Sequence, residues 1–245
     1  MQFFLAHASV WDPHKKLIGK RMIKRTLEPE VMDTQAEAIA YDEMDHSEVN
    51  ELFVTDLIEF AQEVGIGLTG EVLDLGTGTA RIPVQLCQAV EDVRIFAVDL
   101  SVEMLDIARL NIELSSNLER VMLGHCDAKQ LEMDDNRFDA VISNSIVHHI
   151  PEPRSTFAEA VRVCRSQGIL FFRDLLRPES DELVTELVKT YAGDEVDHAR
   201  QMFDDSLRAA FTIEEIQDFV VELGFAPDSV QATSDRHWTW SAVKP

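Results

Sequence analysis

The stretch EVLDLGTGTARIPVQL, Glu71 to Leu86, passes from an apolar run through closely spaced turn formers into a segment with helical spacing. Glu71 to Leu75 reads as a strand, and Ala80 onward as the start of a helix. Between them stand Gly76, Thr77 and Gly78, in a chain with only 10 glycines. Glycine reaches backbone angles closed to other residues and lets a ligand approach bare N–H groups. A strand, a glycine turn and a helix N-terminus, in that order, open many doubly wound α/β sheets. In such sheets ligands sit beyond the carboxyl ends of the strands.

Downstream the same texture repeats. Apolar runs at 94–100, 119–126, 138–145 and 168–176 alternate with the helix-like segments ARIPVQLCQAV, SVEMLDIARLNIELS and PRSTFAEAVRVCR. Strands alternating with amphipathic helices predict a parallel sheet covered on both faces. Upstream, Leu17 to Gly65 reads as helical, with polar breaks at Glu28-Pro29 and at Asp45-His46-Ser47; Ser47 is the expected N-cap and Gly65 the stop. After Pro178 a charged helical stretch precedes the amphipathic TIEEIQDFVVELGF, and SVQATSD with HWTWSAV reads as a closing hairpin. Trp238 and Trp240 alternate along its second arm and so share one face, where core packing is expected.

The charge balance narrows the function classes. With 45 acidic against 22 basic residues the formal charge is −23, spread along the chain. Such a surface repels phosphate backbones, so no nucleic-acid partner is expected. Cys87, Cys126 and Cys164 are far apart and odd in number, which suggests neither a disulfide framework nor a zinc site. The N-terminal MQFFLAHASVWDPHKK lacks a basic n-region and a cleavage site, and no segment reaches the roughly 20 apolar residues of a membrane span. A soluble cytoplasmic protein is expected.

The glycine loop is not a triphosphate cradle, because no Lys follows it. A dinucleotide fingerprint would place glycine where Arg81 stands, and Asp74 would set a carboxylate beside a pyrophosphate. A cationic group suits Asp74 better. Asp99 ends the second strand, about 25 residues on, where an acidic side chain accepts ribose hydroxyls. Asp127 follows the third strand, placed for an exocyclic amine. An ammonium, a ribose and an amine together describe S-adenosyl-L-methionine more closely than a nicotinamide dinucleotide.

These motifs resemble those of the class I S-adenosylmethionine-dependent methyltransferases, in particular the small-molecule group that includes the ubiquinone/menaquinone C-methyltransferases. The resemblance covers residues 70 to 176, and the C-terminal helix and hairpin by pattern. It implies a cofactor site made of Asp74, Gly76, Thr77, Gly78, Asp99, Leu100, Met104, Asp127, Ala128 and Asn144. Leu100 and Met104 would flank the adenine, the Ala128 N–H would meet its edge, and Asn144 would lie near the methionine moiety. Ala80 stands where the family has a third glycine, and a glycine there is expected to change little. The implied product is S-adenosyl-L-homocysteine.

The expected fold is therefore α/β: a Rossmann-like, doubly wound, seven-stranded sheet, mostly parallel with an antiparallel last strand, plus helical lid additions. A single domain is expected, with an N-terminal helical cap (1–65), a cofactor-binding core (70–176), a helical insertion (178–210) and a C-terminal helix and hairpin (211–245). The expected activity is methyl transfer to a small molecule. The alternatives are a non-catalytic S-adenosylmethionine-binding regulator and an RNA or protein methyltransferase. Substrate-side candidates are His148 (with His149 beside it), Arg173, Asp174 and His237; Tyr41, Asp42 and His46 are candidates for a lid. A catechol-type metal site would need more carboxylates than Asn144 and Asp174 provide beside them, the cysteines do not converge, and no metal is expected.

Overall fold

A computed structural model describes residues 22–29, 34–44 and 46–245. The strands are β1 (Glu71–Leu75), β2 (Arg94–Asp99), β3 (Val121–His125), β4 (Phe138–Asn144), β5 (Cys164–Leu175), β6 (Val230–Ala232) and β7 (His237–Val243). They form one seven-stranded sheet in the order β3-β2-β1-β4-β5-β7-β6. β1 to β5 run parallel, and β7 enters antiparallel between β5 and β6. The strand order reverses at β1 and β4, so the crevice beyond their carboxyl ends is where a doubly wound sheet binds ligands.

Alternation along the strands divides the core into two layers. On one face Leu73, Leu75, Val141, Leu170 and Phe172 pack with Phe157 of α5 (Arg154–Val163) and Ile216, Phe219 and Val220 of α8 (Ile213–Glu222). On the other, Val72, Ile95, Ile142, Ile169 and Phe171 meet Phe53 and Leu57 of α2 (Ser47–Glu63), Leu86 of α3 (Arg81–Ala89), and Ala108 and Ile112 of α4 (Val102–Leu114). Central strands covered on both faces read as near-continuous apolar runs, which is why these segments stand out in the sequence.

Three expectations are corrected. Residues 22–29 form no helix but an irregular strap. The guanidinium of Arg25 donates to the carbonyls of Ala209, Pro151, His148 and Ile150, at 2.6 to 3.0 Å, and lies over the Phe211 ring. These long-range side-chain bonds, with the Thr26 N–H donating to the Arg208 carbonyl at 3.1 Å, hold the strap against residues 148–151 and 208–209. The rest of the expected first helical stretch, before residue 22, lies outside the described residues; within them α1 spans Gln35–Glu43, with Thr34 and Glu37 as a capping box. Ser47 is the first residue of α2, not its cap; His46 holds the cap position without a side-chain cap bond. Finally, α5 stops at Val163 and β5 begins at Cys164, because Cys164 pairs with Phe138 across a register shift.

The segment 178–210 folds as α6 (Asp181–Tyr191) and α7 (Asp197–Ala209). They pack as a small cluster through Val184, Leu187 and Leu207 on Leu175, with Ile23 of the strap against it.

The hairpin anchors one core layer. Trp238 and Trp240 are fully buried, and the Trp240 ring lies 5.3 to 5.4 Å from Phe157, Phe172 and Phe225. Its indole N–H is buried without a hydrogen-bond partner, so the residue stabilises by apolar contact and not by its polar tip. Trp240→Ala is expected to cost about 3–5 kcal/mol, the range for emptying a buried aromatic site. Trp240→Phe, which also removes the orphaned N–H, is expected to cost less than half of that in a urea titration followed by circular dichroism.

Candidate functional site

Beyond the carboxyl ends of β1, β2 and β4 lies a cavity that, with its mouth, spans about 1070 Å³. Asp74, Gly76, Thr77, Gly78, Asp99, Leu100, Met104, Asp127, Ala128 and Asn144 all line it. These are the residues that the sequence motifs single out.

The floor is the turn after β1. Gly76 and Gly78 have φ of +69° and +53°. A side chain at Gly76 would place its Cβ 2.0 Å from Ile146 Cγ2, so both backbone angle and space demand glycine there. The N–H groups of Gly76 and Thr77 both donate to the Val98 carbonyl, at 2.9 Å, locking the turn to β2. Ala80, the residue in place of the third glycine, is itself left-handed at φ +60° and fully buried. A glycine there would relieve backbone strain and lose one buried methyl, effects of about 1 kcal/mol each and opposite sign.

Asp74 is 2% exposed at the end of β1, and its Oδ2 has no hydrogen-bond partner. Burial pushes its carboxyl up to about 7; the nearby Thr77 hydroxyl eases this and Asp99 adds to it. Asp99 accepts the Gly78 N–H on Oδ2 and the Ser101 N–H on Oδ1, both at 2.8 Å. Each oxygen keeps a further lone pair. Burial raises its carboxyl too, against these backbone bonds. Ser101 caps α4 by accepting the Met104 N–H, which fixes Met104 on the wall. Asp127 accepts the Lys129 N–H at 2.9 Å, and the Lys129 ammonium lies 3.1 Å from it. Three carboxylates from three successive strand ends thus face one space, with the glycine turn between them.

The roof comes from the N-terminal helices. Tyr41, His46 and Asn50 line the cavity, whereas no residue of 178–210 does. Burial, then the Asp99 charge, pushes the Tyr41 phenol up to about 12. Asp42 latches this roof: it takes both arms of the Arg81 guanidinium, at 3.0 and 2.8 Å, and the Asn111 amide at 3.0 Å. Burial opposes its ionisation, but bonds with Thr79, Arg81 and Asn111 hold its carboxyl below the ordinary value.

The substrate-side candidates are distributed differently. None of His148, Arg173, Asp174 and His237 lines the cavity; His149 and Ile150 do. Arg173 is buried against Asp56, at 2.5 Å, and donates to the Thr239 hydroxyl. Asp174 accepts the N–H groups of Val147 and His148 and bonds the His148 Nδ1 at 2.5 Å, bracing the 3₁₀ turn Val147–His149. The His237 Nδ1 bonds the Ser234 hydroxyl, and burial lowers its ring to about 4. Burial, then the neighbouring His148, lowers His149 to about 3. Of the three free cysteines, Cys126 lines the cavity. Asn50, Ser101, Ile146 and Lys129 also line it. No motif marked them, although Ser101 could have been found as a helix cap.

Residues 73–172 match the family model described as a methyltransferase domain. The chain is 37% identical over 100 residues to a phosphatidylethanolamine N-methyltransferase of Cereibacter sphaeroides, covering 40% of this chain and 47% of that protein. It is 25% identical over 118 residues to a ubiquinone/menaquinone biosynthesis C-methyltransferase of Citrifermentans bemidjiense, covering 48% and 50%. The chain thus spans about half the length of these curated relatives. A crystal structure of a S-adenosylmethionine-dependent methyltransferase from Aquifex aeolicus shares the fold, with a TM-score of 0.61 at 17% identity over 86% of this chain and 99% of that one. No helix among the described residues is long and apolar enough to cross a membrane. Residues 73–172 thus carry a methyltransferase domain, and by its sheet order and glycine loop the chain resembles the class I S-adenosyl-L-methionine-dependent methyltransferases, their quinone C-methyltransferase group among them.

Proposed function

We propose that this protein transfers a methyl group from S-adenosyl-L-methionine to a small-molecule acceptor. The observation that carries the reading is the convergence of Asp74, Asp99 and Asp127 on one cavity around a glycine turn. The site fits the cofactor chemically: the unpartnered Asp74 Oδ2 suits an ammonium, the remaining lone pairs of Asp99 suit the ribose hydroxyls, and Asp127 suits the adenine amine. When bound, the cofactor supplies an electrophilic methyl on a sulfonium.

The chain's own contribution is orientation and exclusion of water. Asn144 ends β4 on the same wall, and Leu100 and Met104 give the adenine an apolar slot. Tyr41, His46 and Asn50 close the space from above, and Ile146, His149 and Ile150 bound it on the side away from β2. That second side is the acceptor region in our proposal, with His149, not His148, at the cavity. The relatives are named for phosphatidylethanolamine and for ubiquinone/menaquinone biosynthesis, which supports a small molecule as the class. The charge of −23 speaks against RNA. Three free thiols support a reducing compartment such as the cytoplasm. We also propose one domain, with the strap, α1 and α2 as its cap.

Calorimetry should detect binding of S-adenosylmethionine and S-adenosylhomocysteine, and Asp99→Ala should weaken it at least about tenfold, since hydrogen bonds to a charged group are lost. Unchanged affinity would remove Asp99 from the site. Incubation with metabolite extract and methyl-labelled cofactor should label a small molecule; label found in protein or RNA alone would overturn the acceptor class.

Asp74 gives a second, pH-dependent signature. Its folded pKa lies above the unfolded 3.8, so its contribution to stability is full below that value and is lost as pH rises toward about 7. Without cofactor, Asp74→Asn should therefore melt higher than the wild type above pH 7, and the difference should shrink toward pH 4. A bound cation restores ionisation, so cofactor binding near pH 7 should release protons in the wild type and not in Asp74→Asn. Calorimetry in two buffers of different ionisation enthalpy reads this release; identical heats after correction would argue against an ammonium at Asp74.

A further inference from the structure

Behind the acceptor wall, the strap and the 3₁₀ turn bring three side chains together that no motif linked. Glu28 Oε1 lies 3.5 Å from His148 Nε2 and 3.2 Å from His149 Nδ1. All three atoms fall within 4.8 Å of one another. Yet Glu28 Oε1 and His149 Nδ1 are buried and neither makes a hydrogen bond. Buried polar atoms are normally satisfied, so two orphans facing each other call for a shared partner.

The spacing says what that partner is. Two ligand bonds of about 2.0–2.1 Å at a tetrahedral angle set nitrogen and oxygen ligands about 3.3–3.4 Å apart. The two measured separations bracket that value. They are also poorly directed for hydrogen bonds, as the orphaned atoms record.

The outer partners fit as well. His148 engages Asp174 through Nδ1 at 2.5 Å, which leaves Nε2 turned toward Glu28. A carboxylate behind a ligating histidine is the usual device for fixing ring orientation. The other oxygen of Glu28 accepts the Ser206 hydroxyl at 3.2 Å. The strap that carries Glu28 is itself pinned by Arg25 to the carbonyls of His148 and Ile150. Each proposed ligand is therefore held from behind or from its own backbone.

We propose that Glu28, His148 and His149 form a binding site for a divalent transition metal of the zinc type. Two histidines and one carboxylate are a set that leaves a fourth position for water or a substrate atom. Glu28 arrives from the strap, more than a hundred residues before the two histidines, so no carboxylate beside β4 or β5 signals this site in the sequence. Because His149 also lines the cavity, a metal here lies beside the acceptor region. That consequence rests on the methyltransferase reading; the metal site itself does not, and its test reads metal binding alone.

The test titrates chelator-stripped, full-length protein with zinc chloride by calorimetry. One zinc per chain is expected. Glu28→Gln and His149→Ala should weaken binding at least about 100-fold, and Ser206→Ala about tenfold, as outer partners of metal sites do. His198→Ala, which alters an exposed histidine on α7, should bind as the wild type does. Zinc should raise the melting temperature of the wild type and not of Glu28→Gln. Wild-type binding that is absent, or that survives both ligand variants unchanged, overturns the proposal and leaves His148 as an ion-pair link between Asp174 and Glu28. Should the variants fail to fold, cobalt added to the folded wild type decides: intense visible bands of a tetrahedral site support the proposal, and the weak spectrum of the hydrated ion overturns it.

Discussion

Asp99 accepts the Gly78 N–H with one carboxylate oxygen and the Ser101 N–H with the other. The first bond holds the turn after β1, and the second holds the start of α4. Gly76, Gly78 and Ala80 all sit at positive φ, and for Ala80 that conformation costs about 1–2 kcal/mol. A turn so strained persists only where its surroundings over-determine it. Here the surroundings are the Asp99 carboxylate, the Val98 carbonyl and the amide of Asn111 on the Thr79 carbonyl. Release of Asp99 would therefore loosen floor and wall together.

The roof hangs on the same turn. Asp42 joins α1 to Arg81, at the start of α3, and to Asn111 on α4, and Asn111 in turn holds the Thr79 carbonyl. A bidentate guanidinium–carboxylate pair fixes direction as well as distance. Tyr41, one residue before Asp42, is thereby set over the cavity. The chain thus uses one polar cluster to fix the turn and the helix that covers it.

What the sequence could reveal follows from which forces act locally. β1 to β4 and the helices α3 and α4 were legible because burial on both faces leaves long apolar runs, and turn formers bound them. Asp74, Asp99 and Asp127 were legible for a related reason: a parallel sheet puts successive strand ends at one edge, so position in the alternation gives position in space. The strap was illegible because long-range bonds decide it; Arg25 reaches residues more than a hundred positions away. The same holds for Asp174. Its place at the end of β5 suggested a site residue, but its oxygens are taken by Val147 and His148, which only the fold brings to it. His149 reaches the cavity because the 3₁₀ turn rotates it there while sending its neighbour inward, a distinction no spacing rule makes.

The carboxylates explain why a cation, and not another anion, completes this molecule. Asp74 and Asp99 are both buried, the Asp99 charge adds to the burial that raises the Asp74 carboxyl, and the chain as a whole carries a formal net charge of −23. A pyrophosphate brought to that turn would add to the unfavourable negative charge there, where burial already opposes ionisation of both carboxyls. An ammonium and a sulfonium would reduce it, so binding and charge relief coincide. The same logic extends behind the wall, where Glu28 and Asp174 approach His148 from opposite sides. One protonated histidine can pair with both carboxylates, but it cannot also satisfy the His149 Nδ1 that faces Glu28. A doubly charged ion with directed bonds satisfies all three ligand atoms at once.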